Sequence, residues 1–235
     1  MRVRLRFTKL GKIRFLGHRD LARCWERAIR RAELPMAYSE GFSPRPKLHY
    51  GLALPTGAES LAEYMDIDLT HDIDLVGLDK LLSDGLPDGV EITGVAEVPS
   101  NALALQAVVH HCTWAFDLVG TDVAEVTGEV ERLWALDDVP LTFERKGKPI
   151  TENVRPALLR ASVAPELREG AVVLTVDLAT KPRSIRPSEL LTCLAPVGEV
   201  RGICRNEQWM TIDGRSLPPL VAGDPSRPVP EASAP

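Results

Sequence analysis

The feature that most constrains this chain is a change of hydrophobic period within its first thirty residues. In "VRLRFTK", Val3, Leu5 and Phe7 alternate with Arg2, Arg4 and Arg6, the period of two expected of a strand with one buried face. From His18 to Glu33 the period becomes helical. Leu21, Cys24, Trp25, Ala28, Ile29 and Ala32 gather on one side, and Arg19, Arg23, Arg27 and Arg30 line the other. A strand followed by an amphipathic helix, both with arginine on the face turned from the core, opens an α+β unit.

The pattern continues. "LHYGLAL" and "LAEYMDIDL" read as strands joined by the turn "PTGAES". "DIDLVGLDKLLSDG" reads as a helix with Asp72 as N-cap and an end near Gly85, and "GVEITGVAEV" as another strand. Strand, helix, strand, strand, helix, strand is the ferredoxin-like βαββαβ order. In the second half "AVVHHCTWAFDLV", "LTFERK", "AVVLTVDLA" and "EVRGICR" read as strands. "DVAEVTGEVERLWAL" reads as a helix, as does "PSELLTCLA" with Pro187 in its first turn, and "ITENVRPALLRASV" adds an extended piece. The expected architecture is α+β: tandem ferredoxin-like units with antiparallel sheets, at 1–100 and 101–213. The boundary falls near "PSNALALQ", and a single larger α+β sheet is the alternative. Residues 214–235, rich in proline, are expected to form a disordered tail.

Charge is unevenly distributed. Of 28 Lys/Arg and 33 Asp/Glu, residues 1–47 hold 13 and 4, a net +9, while the remainder holds 15 and 29, a net −14. A basic lobe on an acidic body fits a polyanion-binding face, and equally a surface whose two parts neutralise each other. Cys24, Cys112, Cys193 and Cys204 form no CxxC pair, so they are expected to be buried free thiols and no metal site is expected. The start "MRVRLRFTKLGK" has no apolar signal core and no segment reaches the length of a membrane span. The expectation is a cytoplasmic protein without membrane contact.

The chemistry-bearing residues cluster early. In "GFSPRPKLHYG", Pro44 and Pro46 hold Ser43 and Arg45 in extended geometry. Arg45 and Lys47 are thus presented with little entropy left to lose on binding phosphate. Arg4, Arg6, Lys9, Lys12, Arg19 and Arg23 complete the expected nucleic-acid or partner surface of the first unit. Arg155 and Arg186 belong to a second basic group. Gly51 and Ala53, small residues on the strand face opposite the helices, offer room for a nucleic acid or for a packed neighbour. His18 and His49 are the candidates for acid/base work, since histidine titrates near neutrality, but the sequence supplies no third group to orient them. His110 and His111 are adjacent on a strand and point to opposite faces, which disfavours a shared metal. No phosphate-loop, dinucleotide, nucleophile-elbow or HExxH pattern occurs.

Read together, "RFTKLGKIRFLGHRDLARCWERAIRRAELPMAYSEGFSPRPKLHYGLALPTGAESLAEYMDIDL" resembles the radical SAM-linked protein family. This is a bacterial domain of unknown function encoded beside, or fused to, a radical S-adenosylmethionine protein. "NVRP" and "IRPSELL" extend the likeness more loosely. Where that family usually has Ser-His at the helix start, Asn-Pro-His-Pro in the loop and an acidic residue before the later Arg-Pro, this chain has Gly17, Ser43 with Arg45, and Asn153. Arginine exchanges no proton at neutral pH, so the substitution at position 45 favours binding over catalysis.

The resemblance implies a radical SAM protein as partner. S-adenosylmethionine and an iron–sulfur cluster are then expected only in that partner, because CxxxCxxC is missing here. The expected role is a non-catalytic accessory protein that recognises substrate, with RNA the partner suggested by the basic lobe. The alternatives are a metal-independent endoribonuclease or RNA-modifying enzyme, and a module for protein docking alone.

Overall fold

The computed structural model describes residues 1–195 and 197–220, and of Arg145 only the backbone. The chain forms a mixed α/β fold whose described pairings are antiparallel and whose helices are few. It divides into two compact units, Met1–Val109 with the chain from Trp209 onward, and His110–Gln208.

In the first unit β1 (Arg2–Lys9) is followed by α1 (His18–Arg31), β2 (Leu48–Tyr50), β3 (Glu59–Asp68), α2 (Leu78–Ser83), β4 (Ile92–Val98) and α3 (Leu105–Val108). The strands lie in the order β4-β1-β3-β2. The inward face of β1 carries Val3, Leu5 and Phe7, which are opposite Ile67, Met65 and Glu63 of β3. The apolar stripe of α1 closes over them: Trp25 is fully buried and meets Phe7 edge to face, with ring centroids 5.0 Å apart.

The same alternation sends Arg2, Arg4 and Arg6 to the other face, and the register places Asp68 and Asp66 of β3 opposite Arg2 and Arg4. Arg2 and Arg4 therefore lie against carboxylates of their own sheet, while Arg6 is opposite Tyr64. That face is also covered by the chain itself. Ala62, Tyr64 and Leu105 form a second small core with Leu220 against it. A Cβ on Gly51 would come within 2.9 Å of the Tyr64 carbonyl oxygen and 3.6 Å of Leu105 Cδ1. Gly51 thus has a packed neighbour at its Cβ position, one of the two uses expected of it.

The second unit contains β5 (Val109–Val119), α4 (Val123–Trp134), a hairpin of β6 (Pro140–Arg145) and β7 (Lys148–Asn153), then β8 (Leu158–Val163), β9 (Val172–Ala179), α5 (Pro187–Cys193) and the start of β10 (Glu199–Ile212). Its strand order is β10-β5-β9-β8, with the β6–β7 hairpin as a separate sheet. Asp122 caps α4, accepting from the Glu125 amide at 2.8 Å. Pro187 sits in the first turn of α5, as its fixed φ favours. The end of β10 returns to the first unit, where Met210 pairs with Leu217 of β11 (Arg215–Leu217).

Several elements differ from the sequence reading. Only Leu48–Tyr50 of "LHYGLAL" are strand, and α2 starts at Leu78 after Gly77 in a left-handed conformation (φ 76°) rather than at Asp72. "LQAV" precedes β5 as a short helix. Of the stretch read as a tail, residues 214–220 are described and include β11, and residues 221–235 lie outside the described residues. Cys24 and Cys112 are buried, Cys193 and Cys204 half-buried, and all four are free thiols.

Candidate anion-binding groove

Helix α1 and the loop after it enclose a groove of about 980 Å³. The loop is a closed turn. The Ser39 amide donates to the Arg45 carbonyl at 2.9 Å, and the Arg45 amide donates to Ser39 Oγ at 3.1 Å. The Lys47 amide then donates to the Ala37 carbonyl at 2.8 Å, which ties the loop to β3 through the Asp68 amide and the Lys47 carbonyl, 3.1 Å apart. Proline on both sides of Arg45 and hydrogen bonds at both ends keep the loop in one conformation. Phe42, at its tip, is fully exposed.

Arg19, Arg23 and Arg30 of α1 face Arg45 across this groove, with Glu26 and Glu33 on the same walls. The arginines recur on one face because their spacing, four and then seven residues, follows the helical repeat. All four are exposed, and Arg23 has a weak local partner, Asp20, at 3.1 Å. Lys47 and Lys12 are exposed but line neither this groove nor the cavity beside it.

A smaller cavity of about 390 Å³ adjoins the groove and shares His18 and Tyr50 with it. The His18 and Tyr50 rings meet edge to face at 4.6 Å. The Tyr50 hydroxyl is buried without a hydrogen-bond partner among the described residues. Burial, with the nearby Glu26 carboxylate, pushes its ionisation well above the usual tyrosine range, so it stays a neutral donor. Lys9 and Glu63 also line this cavity.

The remaining residues singled out from the sequence fall elsewhere. Arg4 and Lys9 leave the basic surface. Arg4 is buried and donates from Nε and Nη2 to Asp66 Oδ1 and Oδ2 at 2.7 and 2.8 Å, and from Nη1 to the Pro219 carbonyl at 3.1 Å. Lys9 is buried, and Nζ donates to the Leu16 and Arg14 carbonyls at 2.9 and 3.4 Å. Burial pulls the Lys9 ammonium below the usual lysine range, and Glu63 partly restores it.

Arg6 is half-buried and donates to Thr93 Oγ1 at 3.0 Å. His49 is oriented by Asp68, with Nε2 3.0 Å from Oδ2, which is the third group the sequence did not reveal, but it lines neither cavity.

In the second unit Arg155 is committed to structure. Its Nε, Nη2 and Nη1 donate to the carbonyls of Leu136, Trp134 and Leu158 at 2.9, 3.0 and 3.0 Å, closing off the end of α4. Asn153 Oδ1 accepts from the Val139 and Arg155 amides at 3.0 and 2.9 Å, a task that a carboxylate would perform equally. Arg186 is exposed and precedes α5, its amide donating to Glu189 Oε2 at 2.7 Å.

Sequence reasoning missed Arg30, Tyr38 and Tyr50 as groove residues. Arg30 lay in plain view on the arginine stripe, whereas Tyr50 carried no local signal, since its role depends on where the helix start lands. Among the described residues no group of three or more His, Cys, Asp or Glu is disposed to hold a metal ion, and no helix is long and apolar enough to cross a membrane.

Fold and site define a mixed α/β protein whose first unit carries an arginine-lined groove. The chain belongs to the family described as an uncharacterized protein conserved in bacteria (DUF2344), whose model matches residues 2–187. No curated protein is detectably similar to it.

Proposed function

We propose that this protein is a non-catalytic accessory factor that works beside a radical SAM enzyme and holds an RNA substrate in the groove between α1 and the loop around Arg45. The observation that carries the reading is the convergence of Arg19, Arg23, Arg30 and Arg45 on one groove, with the aromatic ring of Phe42 exposed at the loop tip. Guanidinium groups grip phosphates and exposed aromatic rings stack on bases, the combination that single-stranded RNA requires.

The strand orders β4-β1-β3-β2 and β10-β5-β9-β8 support reading each unit as ferredoxin-like. The radical SAM partner, and the S-adenosylmethionine and iron–sulfur cluster that it would hold, rest on the sequence resemblance alone.

RNA retention measured across a salt series tests the groove. With Z phosphates neutralised, the logarithm of affinity falls with the logarithm of salt concentration at a slope of about −0.7Z for a single strand. Each of Arg19→Ala, Arg23→Ala and Arg45→Ala should flatten the slope by about 0.7. Absence of binding at low ionic strength, or unchanged slopes in all three variants, would remove RNA from the reading. Co-purification with the neighbouring radical SAM protein tests the accessory role separately.

A further inference from the structure

We infer that the smaller cavity receives one unstacked base of the bound RNA, so that His18 and Tyr50 mark the place where a grip on phosphates gives way to recognition of a base. This inference rests on the RNA reading above and adds to it a defined pocket and the kind of group that enters it.

The two cavities share His18 and Tyr50 as a common wall but differ in chemistry. The larger is lined by four arginines and suits a polyanion. The smaller, about 390 Å³, is walled by apolar and aromatic side chains that include Phe7, Leu16, Leu21 and Tyr64. An apolar enclosure of this size with a few polar groups is what a small planar ligand fills. A cationic groove opening onto such an enclosure matches a molecule with a charged chain and a neutral ring.

The polar groups in the enclosure suit the edge of a base. Lys9 commits two of its three N–H groups to the Leu16 and Arg14 carbonyls, leaving one donor. Both Lys9 and Glu63 line the cavity. Tyr50, whose side chain lines both cavities, carries a hydroxyl near Glu26 of the larger groove. That hydroxyl is buried with no partner among the described residues, a condition that destabilises a fold unless a ligand or water satisfies it. Base edges present both donors and acceptors, and unstacked bases are read in this way, by hydrogen bonds and by contact with aromatic rings.

The test compares a short single-stranded oligoribonucleotide with a base-free ribose–phosphate chain of the same length and charge, by fluorescence anisotropy at one salt concentration. The wild-type protein should bind the base-bearing probe about tenfold more tightly, the scale of one enclosed base. Tyr50→Phe removes only the hydroxyl, and Ala53→Trp places a bulky ring at an exposed wall of the cavity. Both should erase most of that preference and leave the thermal midpoint of the free protein unchanged or, for Tyr50→Phe, higher. Because Ala53 does not line the arginine groove, Ala53→Trp should also leave affinity for the base-free chain within about twofold.

Equal affinity of the wild type for the two probes overturns the inference, as does full preference retained in both variants. In either case loss of binding in the arginine variants would keep the groove reading intact. If neither probe binds the wild type, both readings fall together.

Discussion

Arg4 of β1 and Asp66 of β3 form a buried, two-pronged ion pair, with Nε and Nη2 2.7 and 2.8 Å from the two carboxylate oxygens. Both side chains are almost wholly removed from solvent, at 4% and 3% exposure. Taking two charges out of water costs about as much as their attraction returns, so the pair is worth most as a constraint on register. Losing one partner is another matter, because the other charge is then stranded. Arg4→Met should lower stability by about 3–5 kcal/mol, read as a shift in the urea midpoint. Arg4→Met combined with Asp66→Leu should recover most of that loss.

Asp68 binds Arg2, Nε to Oδ1 at 2.6 Å, and His49, Nε2 to Oδ2 at 3.0 Å. Burial alone would raise its carboxyl pKa, but the hydrogen bonds from Arg2 and His49 outweigh burial and hold it below the ordinary carboxylate range. A folded-state value below the unfolded one means that the unfolded chain binds the extra proton. The stability Asp68 contributes is therefore complete above about pH 4 and is lost as pH falls further. Urea midpoints measured from pH 5 downward should decline less steeply for Asp68→Asn than for the parent.

Glu26 and Glu33 stand among the arginines of the groove. A carboxylate beside a phosphate site opposes the ligand, so Glu26→Gln and Glu33→Gln should each tighten RNA binding about two- to fivefold at low salt. The gain should shrink as salt screens the exposed charges. Binding isotherms at two ionic strengths check both parts.

Gly89 has φ 90°, and a Cβ there would lie 2.3 Å from the Leu10 carbonyl oxygen. Its own carbonyl accepts from the Leu10 amide at 2.8 Å, so the two segments approach at a point where neither can withdraw freely. Gly89→Ala should cost at least ~2 kcal/mol, measured by thermal or urea unfolding, with the change confined to stability if RNA binding is assayed well below the melting point.

The β1 strand and the α1 helix were legible because each is a local pattern: one period of two, one helical repeat, fourteen residues of helix found where sixteen were expected. The loop around Arg45 was legible as rigid, since proline acts on its immediate neighbour. The fate of the β1 arginines was not. "MDID" holds the partners of Arg2 and Arg4, yet only the pairing register of β1 with β3 reveals it, and a slip of one residue would have turned those aspartates away. Arg155 escaped for a related reason, because the carbonyls it binds belong to the end of a helix some twenty residues earlier. The groove was half visible. Its arginine stripe is written along one helix, but the Tyr50 wall exists only once β2 and the start of α1 are neighbours.

The Pro219 carbonyl that completes the Arg4 guanidinium lies 215 residues further along the chain. At ribosomal speeds of about 5–20 residues per second, roughly 10 to 40 seconds separate the two groups during synthesis. For that interval the first unit lacks both the Pro219 hydrogen bond and the Leu220 packing, which come from a stretch made much later. A chain cut after Gln208 would lack both, so loss of residues 209–220 would be felt beside β1.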